Sequence, residues 1–136
     1  MAIARLSRRL RPTKAAMAAG LTPTRSAVLQ TVARRGPMRL AELAEAEAIN
    51  PTMLSRVIAE LTEGGLLERV SDESDRRAVW VSCSAAGRRL AERIRRERTD
   101  ALSLALDQLS TEERNLIERA VPALERLAEQ LKGGRP

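Results

Sequence analysis

Apolar positions in the first third of the chain recur at intervals of three and four, which is the spacing of amphipathic helices. One such stripe lies within residues 3–10 and predicts a short helix that ends before Pro12. Thr22-Pro23 predicts an N-cap followed by a first-turn proline, and the helix that it opens continues to Gly36-Pro37. A shorter helix is predicted from about Ala41 to Ala46.

The middle of the chain changes from a helical period to short β-prone runs. Asn50-Pro51 repeats the cap-then-proline start, and its helix ends at Gly64-Gly65. Residues 66–70 and 78–82 are the two β-prone runs, and the polar stretch between them predicts a hairpin. The predicted buried face of the helix that begins at Asn50-Pro51 consists of Leu54, Val57, Ile58 and Leu61.

Helical spacing returns after Ser84 and continues almost to the C-terminus. Ser110 and Glu113 have the spacing of a capping box at the start of the last helix, and Pro122 inside that helix is expected to kink it. The apolar face of the last helix comprises Leu116, Ile117, Ala120, Val121, Leu124, Leu127, Ala128 and Leu131. Because this face is too wide for one small lobe to cover, it favours burial against a second subunit.

The composition of the chain excludes several classes of protein. Its 136 residues, about one domain, include no His and a single Cys. The chain therefore lacks His-based nucleophilic machinery, the commonest zinc ligand and any pair of metal-binding cysteines. We expect no enzymatic activity, no metal and no cofactor. Cys83 lies at a predicted strand end and suits a buried, inert thiol, with a redox sensor as the alternative.

The charge is basic and unevenly distributed. The net charge is +6, and 22 of the 24 basic residues are Arg, which suits bidentate contacts to phosphate and guanine. A codon bias toward Arg is the alternative explanation. Residues 1–14 contain five basic residues and no acidic one, whereas acidic residues dilute the arginines of residues 88–98, as in a solvated helix surface. We find no signal peptide or membrane span and expect a cytoplasmic protein.

The order of three helices, a hairpin and further long helices is the layout of a winged helix-turn-helix. With Leu54 and Val57 buried, the opposite face of their helix is free to enter a major groove. Arg56 is suited to a guanine edge, because guanidinium groups bind it bidentately. The candidate DNA-binding residues of this helix are Asn50, Pro51, Thr52, Ser55 and Arg56.

Four segments, taken in order and spacing, resemble the MarR family of transcriptional regulators, and the resemblance extends from about Leu21 to Leu131. The segments are Leu21–Leu29, Glu42–Ala44, Leu61–Arg69 and the run Asp75-Arg76-Arg77 followed by five residues and Cys83-Ser84. The last segment is similar to the wing signature Asp-x-Arg-x5-Leu-Thr of that family.

The resemblance implies a mainly α fold with a small β-hairpin wing and a helical dimerisation region. A DNA-binding lobe is expected at residues 21–84, with dimerisation helices at 1–20 and 85–136. It also implies a homodimer that binds a pseudo-palindromic operator in double-stranded DNA, usually as a repressor. Family inducers are typically small, often anionic aromatic compounds bound between the dimerisation helices and the DNA-binding lobe.

The resemblance assigns the wing residues Asp75, Arg76 and Arg77 to DNA binding, with the wing arginine in a minor groove and an aspartate holding the wing. Arg39 is a weaker candidate near the start of the first helix of the motif. The alternative for the two wing arginines is pairing with acidic residues of their own loop. The alternative function is an α-helical adaptor whose winged helix contacts protein.

Several positions depart from the family pattern. Cys83 and Ser84 replace the Leu and Thr of the wing signature. Glu47 stands where the family usually has an apolar residue, Ala48 replaces the usual turn glycine, and Arg39 replaces a common Ser or Thr. We expect the last three departures to tilt or loosen the first helix of the motif.

Overall fold

The fold is that of a computed structural model, which describes residues 1–75 and 77–132. The chain divides into two compact units, residues 1–98 and residues 99–136, and each unit is described by itself. The helices are α1 (Ala2–Leu10), α2 (Lys14–Ala18), α3 (Pro23–Arg35), α4 (Leu40–Glu47), α5 (Pro51–Glu63), α6 (Ala85–Asp107) and α7 (Thr111–Lys132). The strands are β1 (Met38–Arg39), β2 (Leu67–Ser71) and β3 (Val79–Cys83), arranged in the order β1-β3-β2 with antiparallel pairing. A mainly helical fold with a small sheet is therefore confirmed.

Side chains cap the helices where the sequence predicts it. The Thr22 Oγ1 atom accepts the backbone N–H of Arg25 at 3.3 Å, at the start of α3. The Asn50 Oδ1 atom accepts the N–H of Met53 at 2.8 Å, at the start of α5. The predicted capping box of α7 is present, because Ser110 Oγ accepts the backbone N–H of Glu113 at 3.1 Å and Glu113 Oε2 accepts the backbone N–H of Ser110 at 2.9 Å. Pro122 lies inside α7, which continues through it.

Two short elements have no counterpart in the sequence-based prediction. Helix α2 begins after Thr13, whose hydroxyl accepts the N–H of Ala16 at 3.1 Å. Strand β1 pairs its two residues with Val81 and Trp80, so the β2–β3 hairpin, which we call the wing, belongs to a three-stranded sheet rather than standing alone. Both hairpin strands also begin one residue later than predicted.

The core of the first unit brings α3, α4, α5, the sheet and the first half of α6 together. Gly87 is required where α6 approaches the backbone before β2, because an added Cβ would lie 2.0 Å from the Leu66 carbonyl oxygen. Cys83 is buried, and burial raises the pKa of its thiol, as expected for an inert cysteine. The largest fully buried side chains are Leu29, Leu43, Leu54, Ile58, Leu61, Leu67 and Ile94.

The departures at the end of α4 are accommodated by local structure. Ala48 adopts the left-handed conformation, with φ of 52°, that the usual turn glycine would favour. The hydroxyl of the buried Thr31 donates a hydrogen bond to the Glu47 carboxylate, which satisfies a polar group at this partly buried position. Leu43 is fully buried, so α4 is anchored in the core despite both substitutions.

The second unit exposes its apolar positions. Within the described part of α7, from Thr111 to Leu131, no side chain is buried. The exposed large apolar residues of this unit are Leu102, Leu104, Leu116, Ile117, Val121, Leu124, Leu127 and Leu131. Within the described residues, the chain contains no helix with the length and hydropathy needed to cross a membrane.

Candidate nucleic-acid interface

The exposed face of α5 is the first component of the candidate interface. The buried face is the one that the spacing predicts and consists of Leu54, Val57, Ile58 and Leu61. Pro51, Thr52, Ser55 and Arg56 are all exposed on the other side. A helix held by one face leaves a polar face with one guanidinium group, two hydroxyl groups and the positive end of the helix dipole directed to solvent.

Asn50 is engaged in the local structure of α5. Its Oδ1 atom forms the N-cap, which leaves the amide nitrogen of the side chain as a donor. A groove of about 850 Å³ separates the first turns of α3 and α5, and Thr24, Thr52 and Arg56 line it. This groove places hydroxyl and guanidinium donors from two helices beside the predicted DNA-binding face.

An ion pair that sequence reasoning missed joins the two helices that border this groove. Arg25 donates to the Glu60 carboxylate through Nε at 2.7 Å, and its Nη2 atom lies 2.5 Å from Glu60 Oε2. Both side chains are about one-third exposed. Because the residues lie 35 positions apart, only the fold brings them together. The pair ties the first turn of α3 to the third turn of α5.

The wing loop presents Arg77 to solvent. The backbone N–H of Arg77 donates to the Asp75 carboxylate at 3.0 Å, so Asp75 shapes the turn rather than binding the guanidinium group. Among the described residues, the Arg77 side chain forms no salt bridge, which argues against the alternative that it pairs within its own loop. Arg76 lies outside the described residues.

A second aspartate, Asp72, organises the base of the loop, beside the turn that Asp75 shapes. Its Oδ1 atom accepts the hydroxyl of Ser74 at 2.7 Å and the backbone N–H of Ser74 at 2.9 Å. Its Oδ2 atom accepts the indole N–H of Trp80 at 3.1 Å. These hydrogen bonds, above all those from Ser74, lower the pKa of Asp72 from 3.8 to about 2. Asp72 is therefore a charged acceptor at the base of the loop.

Arg39 packs against the wing. Its Nη2 atom lies 3.9 Å from Asp72 Oδ2, and its guanidinium carbon lies 5.2 Å from the centroid of the Trp80 ring. The side chain of Arg39 remains half exposed. Trp80 is half-buried and packs within the wing, as expected. The sequence indicates Arg39 as a weaker DNA-binding candidate near the start of α4 and carries no signal for these two partners.

The arginines of α6 differ from one another in their surroundings. Arg95 and Arg96 both pair with Glu92, at 2.9 and 3.2 Å, as expected for a solvated helix surface. The Arg95 hydrogen bonds are the main reason that the pKa of Glu92 is lowered. Arg98 is the exception to that expectation, because it is partly buried and its Nε atom has no hydrogen-bond partner among the described residues. Burial lowers the pKa of Arg98, and the charge of Arg11 lowers it further.

Arg98 and Arg11 line a cleft within the first unit. The cleft has a volume of about 440 Å³ and lies among α1, α3, the end of α4 and α6. Its apolar lining includes Leu10 and Ile49, and Glu47 supplies one carboxylate. Two neighbouring guanidinium groups in a half-apolar cleft create a local excess of positive charge, which suits a small organic anion.

A family model matches the DNA-binding lobe, and a curated relative matches nearly the whole chain. The model of the MarR family matches residues 21–79. An HTH-type transcriptional regulator of Mycobacterium bovis is 32% identical over 130 residues, which cover 96% of this chain and 90% of that protein. The match with this regulator therefore includes the helices on both sides of the winged helix-turn-helix.

Solved structures share the fold at lower identity. The crystal structure of FabT from Streptococcus pneumoniae in complex with DNA has a TM-score of 0.71 and 19% identity, covering 79% of this chain and 75% of that chain. The crystal structure of NadR in complex with 4-hydroxyphenylacetate has a TM-score of 0.71 and 24% identity, covering 90% of this chain and 86% of that chain. At these identities the two matches demonstrate a common fold.

Proposed function

The chain belongs to the MarR family of transcriptional regulators, and on that premise we propose that it is a ligand-responsive repressor that binds its operator as a cytoplasmic homodimer. Family membership makes it a DNA-binding transcriptional regulator. The observation that carries the proposal is the exposed polar face of α5, which includes Arg56 and is held by a fully buried apolar face. FabT, which has this fold, was crystallised with DNA.

In the proposed complex, the first two turns of α5 enter the major groove. Arg56 reads a guanine edge, and Thr52 and Ser55 contact a base or a phosphate. Asn50 and Pro51 lie at the helix start, where the free N–H groups and the helix dipole favour a phosphate. The Thr24 hydroxyl, in the groove between α3 and α5, contacts the sugar-phosphate backbone of the DNA.

The wing contacts the adjacent minor groove. Arg77 is the exposed loop cation, and the narrow minor groove of A·T-rich DNA attracts arginine through its enhanced negative potential. Asp75 supports this contact by shaping the turn, and Arg76 adds a second positive charge next to it in the sequence. Arg39 stays a weaker candidate, because Asp72 and Trp80 already engage its side chain.

Dimerisation is assigned to the segments outside the DNA-binding lobe, residues 1–20 and 85–136. The apolar positions of α7 are exposed, and Ile3 and Leu6 of α1 are 65% and 56% exposed. Exposed apolar stripes of this extent mark protein interfaces in soluble chains. A second copy supplies the complementary surface, since a two-fold interface uses the same patch on both subunits.

The inducer is proposed to be a small aromatic anion that binds the cleft lined by Arg11 and Arg98. NadR, which has this fold, was crystallised with 4-hydroxyphenylacetate, an aromatic carboxylate. We expect aromatic carboxylates to raise the melting temperature of the protein and to weaken its binding to DNA. Arg98→Gln should abolish both responses, whereas Arg96→Gln, on the solvated face of α6, should retain them. If both variants kept the melting-temperature shift and the weakened DNA binding, the ligand would bind outside this cleft.

Selection of duplexes from a randomised pool tests the DNA-binding function. The purified protein should enrich one inverted repeat. Its affinity for that repeat should fall steeply with salt, with a log–log slope of about −0.9 per phosphate contact. About six to ten contacts correspond to a loss of ~10³–10⁵ between low and moderate salt. The adaptor function would be favoured if no duplex were enriched, or if binding did not depend on salt.

A further inference from the structure

The register of the wing sheet aligns one residue from the helix-turn-helix with one residue from the wing. Arg39 lies directly opposite Trp80 in the pairing of β1 with β3, and Arg39 immediately precedes the first residue of α4. The next pair across the sheet joins Trp80 to Val70 of β2. Arg39, Trp80 and Val70 therefore form one row across all three strands, on the face opposite the buried Val81.

Asp72 connects this row to the loop of the wing. One carboxylate oxygen, Oδ1, is used by Ser74 inside the loop. The other oxygen, Oδ2, lies 3.1 Å from the indole nitrogen of Trp80 and 3.9 Å from the guanidinium group of Arg39. The Arg39 guanidinium in turn lies over the Trp80 ring at a distance typical of cation–π contacts. The three side chains thus contact one another in a closed triangle.

The triangle lies at the last row of the sheet in which β1 supports the hairpin. Strand β1 supports the hairpin only at Val81 and Trp80. Beyond Trp80, the hairpin consists of two strands alone, and Val79, the next residue of β3 toward the loop, is 39% exposed. An isolated two-stranded hairpin is marginally stable in water. The triangle is thus the last connection between the wing and the start of α4 before the wing extends unsupported.

We propose that Arg39, Asp72 and Trp80 form a clamp that holds the wing against the start of α4 and so sets the spacing between the two DNA-contacting elements. All three are positioning residues, and Arg39 serves DNA binding through the clamp rather than through a phosphate contact. The clamp rests on the proposed function, because it matters for affinity only if α5 and the wing bind the same DNA.

The clamp and a direct phosphate contact by Arg39 predict opposite changes in DNA affinity for the Asp72→Asn variant. If Arg39 contacted phosphate, Asp72 would compete for it, and Asp72→Asn would release the arginine and strengthen DNA binding. If the clamp positions the wing, Asp72→Asn weakens DNA binding even though it removes a negative charge from a DNA-binding protein. Glu73→Gln is the matched control, because Glu73 is an exposed acidic residue in the same loop.

The first test measures binding to a duplex selected by the wild-type protein. We expect Asp72→Asn to bind it roughly threefold to tenfold more weakly, within the range of couplings between contacting residues. Glu73→Gln should bind as tightly as the wild type or more tightly. An Asp72→Asn variant that retains the wild-type circular dichroism and gains affinity, as Glu73→Gln does, would overturn the clamp.

The second test needs no DNA, so its outcome is independent of the proposed function. Trp80 is the only aromatic residue of the chain, so its fluorescence reports on the clamp alone. In the free protein, Arg39→Gln and Asp72→Asn should each move the Trp80 emission to longer wavelength and increase its quenching by acrylamide. Glu73→Gln should leave both unchanged. Unchanged emission in both clamp variants would contradict the clamp, whereas failure of the wild type to bind any duplex would contradict the proposed function alone.

Discussion

Helices α5 and α7 both have an amphipathic sequence, but the apolar face is buried in α5 and exposed in α7. The apolar face of α5 is buried within its own unit, from Leu54 at 1% exposure to Leu61 at 2%. The apolar face of α7 is exposed, from Ile117 at 44% to Leu131 at 71%. The periodic pattern therefore predicts which face of a helix is buried, but not whether its own subunit provides the surface.

The difference in burial between α5 and α7 suits the two helices to different proposed roles, DNA binding and dimerisation. Because the apolar face of α5 is satisfied within one subunit, its remaining face is polar and available to DNA. The apolar face of α7 has no such cover within the described part of its own unit, so we assign its cover to a second copy. In the proposed function, α5, whose apolar face is buried within its own subunit, recognises DNA, and α7, whose apolar face is exposed, forms the dimer interface.

Deletion of residues 110–136 should have the largest effect, because it removes one of the two compared helices. It removes the exposed apolar face of α7 and leaves the buried face of α5 untouched. We expect a monomeric or poorly folded product that no longer binds an inverted repeat. Light scattering and circular dichroism check this outcome. A truncated protein that is well folded and dimeric would place the interface elsewhere.

Matched leucine truncations should sharpen the comparison. Leu54→Ala removes a fully buried side chain of α5 and should cost about 2–5 kcal/mol of unfolding free energy at any protein concentration. Leu127→Ala removes a half-exposed side chain of α7, so its cost should depend on protein concentration, as expected when folding is linked to association. Thermal unfolding at several concentrations distinguishes the two. Concentration-independent losses in both variants would exclude α7 from the interface.

Arg77→Ala should have a smaller effect, confined to DNA binding. Because the Arg77 guanidinium forms no salt bridge among the described residues, its removal should leave the melting temperature unchanged. The salt slope of DNA binding should fall by about 1 for each lost contact. Affinity should fall most for sites with A·T-rich flanks, while base preference at the centre of each half-site persists. Arg96→Ala is the matched control, and an equal loss in it would assign the effect to net charge.

The smallest expected effect concerns the turn that joins α4 to α5. Ala48 is the one described residue other than glycine with a positive φ, a conformation that costs an L-residue roughly 1–2 kcal/mol. Ala48→Gly should relieve this strain, partly offset by the greater flexibility of glycine in the unfolded chain, for a net gain of roughly 0.5–1 kcal/mol. Chemical denaturation measures the gain. Ala46→Gly, inside α4, is the control and should be destabilising.

Local sequence patterns predicted most of the fold for physical reasons. Caps such as Thr22, Asn50 and Ser110 act within three residues of themselves, and a buried helix face follows from a period of 3.6, so both are visible in the sequence. The exposure of Thr52 and Arg56 followed from the burial of their neighbours in the same way. These features need no knowledge of distant segments.

The features that escaped prediction depend on contacts between distant segments. Strand β1 has two residues, too few for a periodic signal, and exists because β3 provides its partner. Arg98 belongs to the same arginine-rich stretch as the solvated Arg95 and Arg96, and its burial and contacts with distant Ser26 and Arg11 set it apart. In the sequence, Asp72 is one of several acidic residues of the loop. Only the register of the sheet, which brings Trp80 within hydrogen-bond distance, distinguishes it.

The most direct measurement of the central claim compares two exposed arginines on two helices. Arg56 lies on the free face of α5, whereas Arg95 pairs with Glu92 on α6. Both alanine variants would be titrated against a selected duplex and its single-base substitutions. We predict that Arg56→Ala costs about 1–3 kcal/mol and loses preference at one base pair of each half-site, while Arg95→Ala binds like the wild type. If Arg95→Ala abolished binding and Arg56→Ala left it unchanged, α5 would not be the helix that reads DNA.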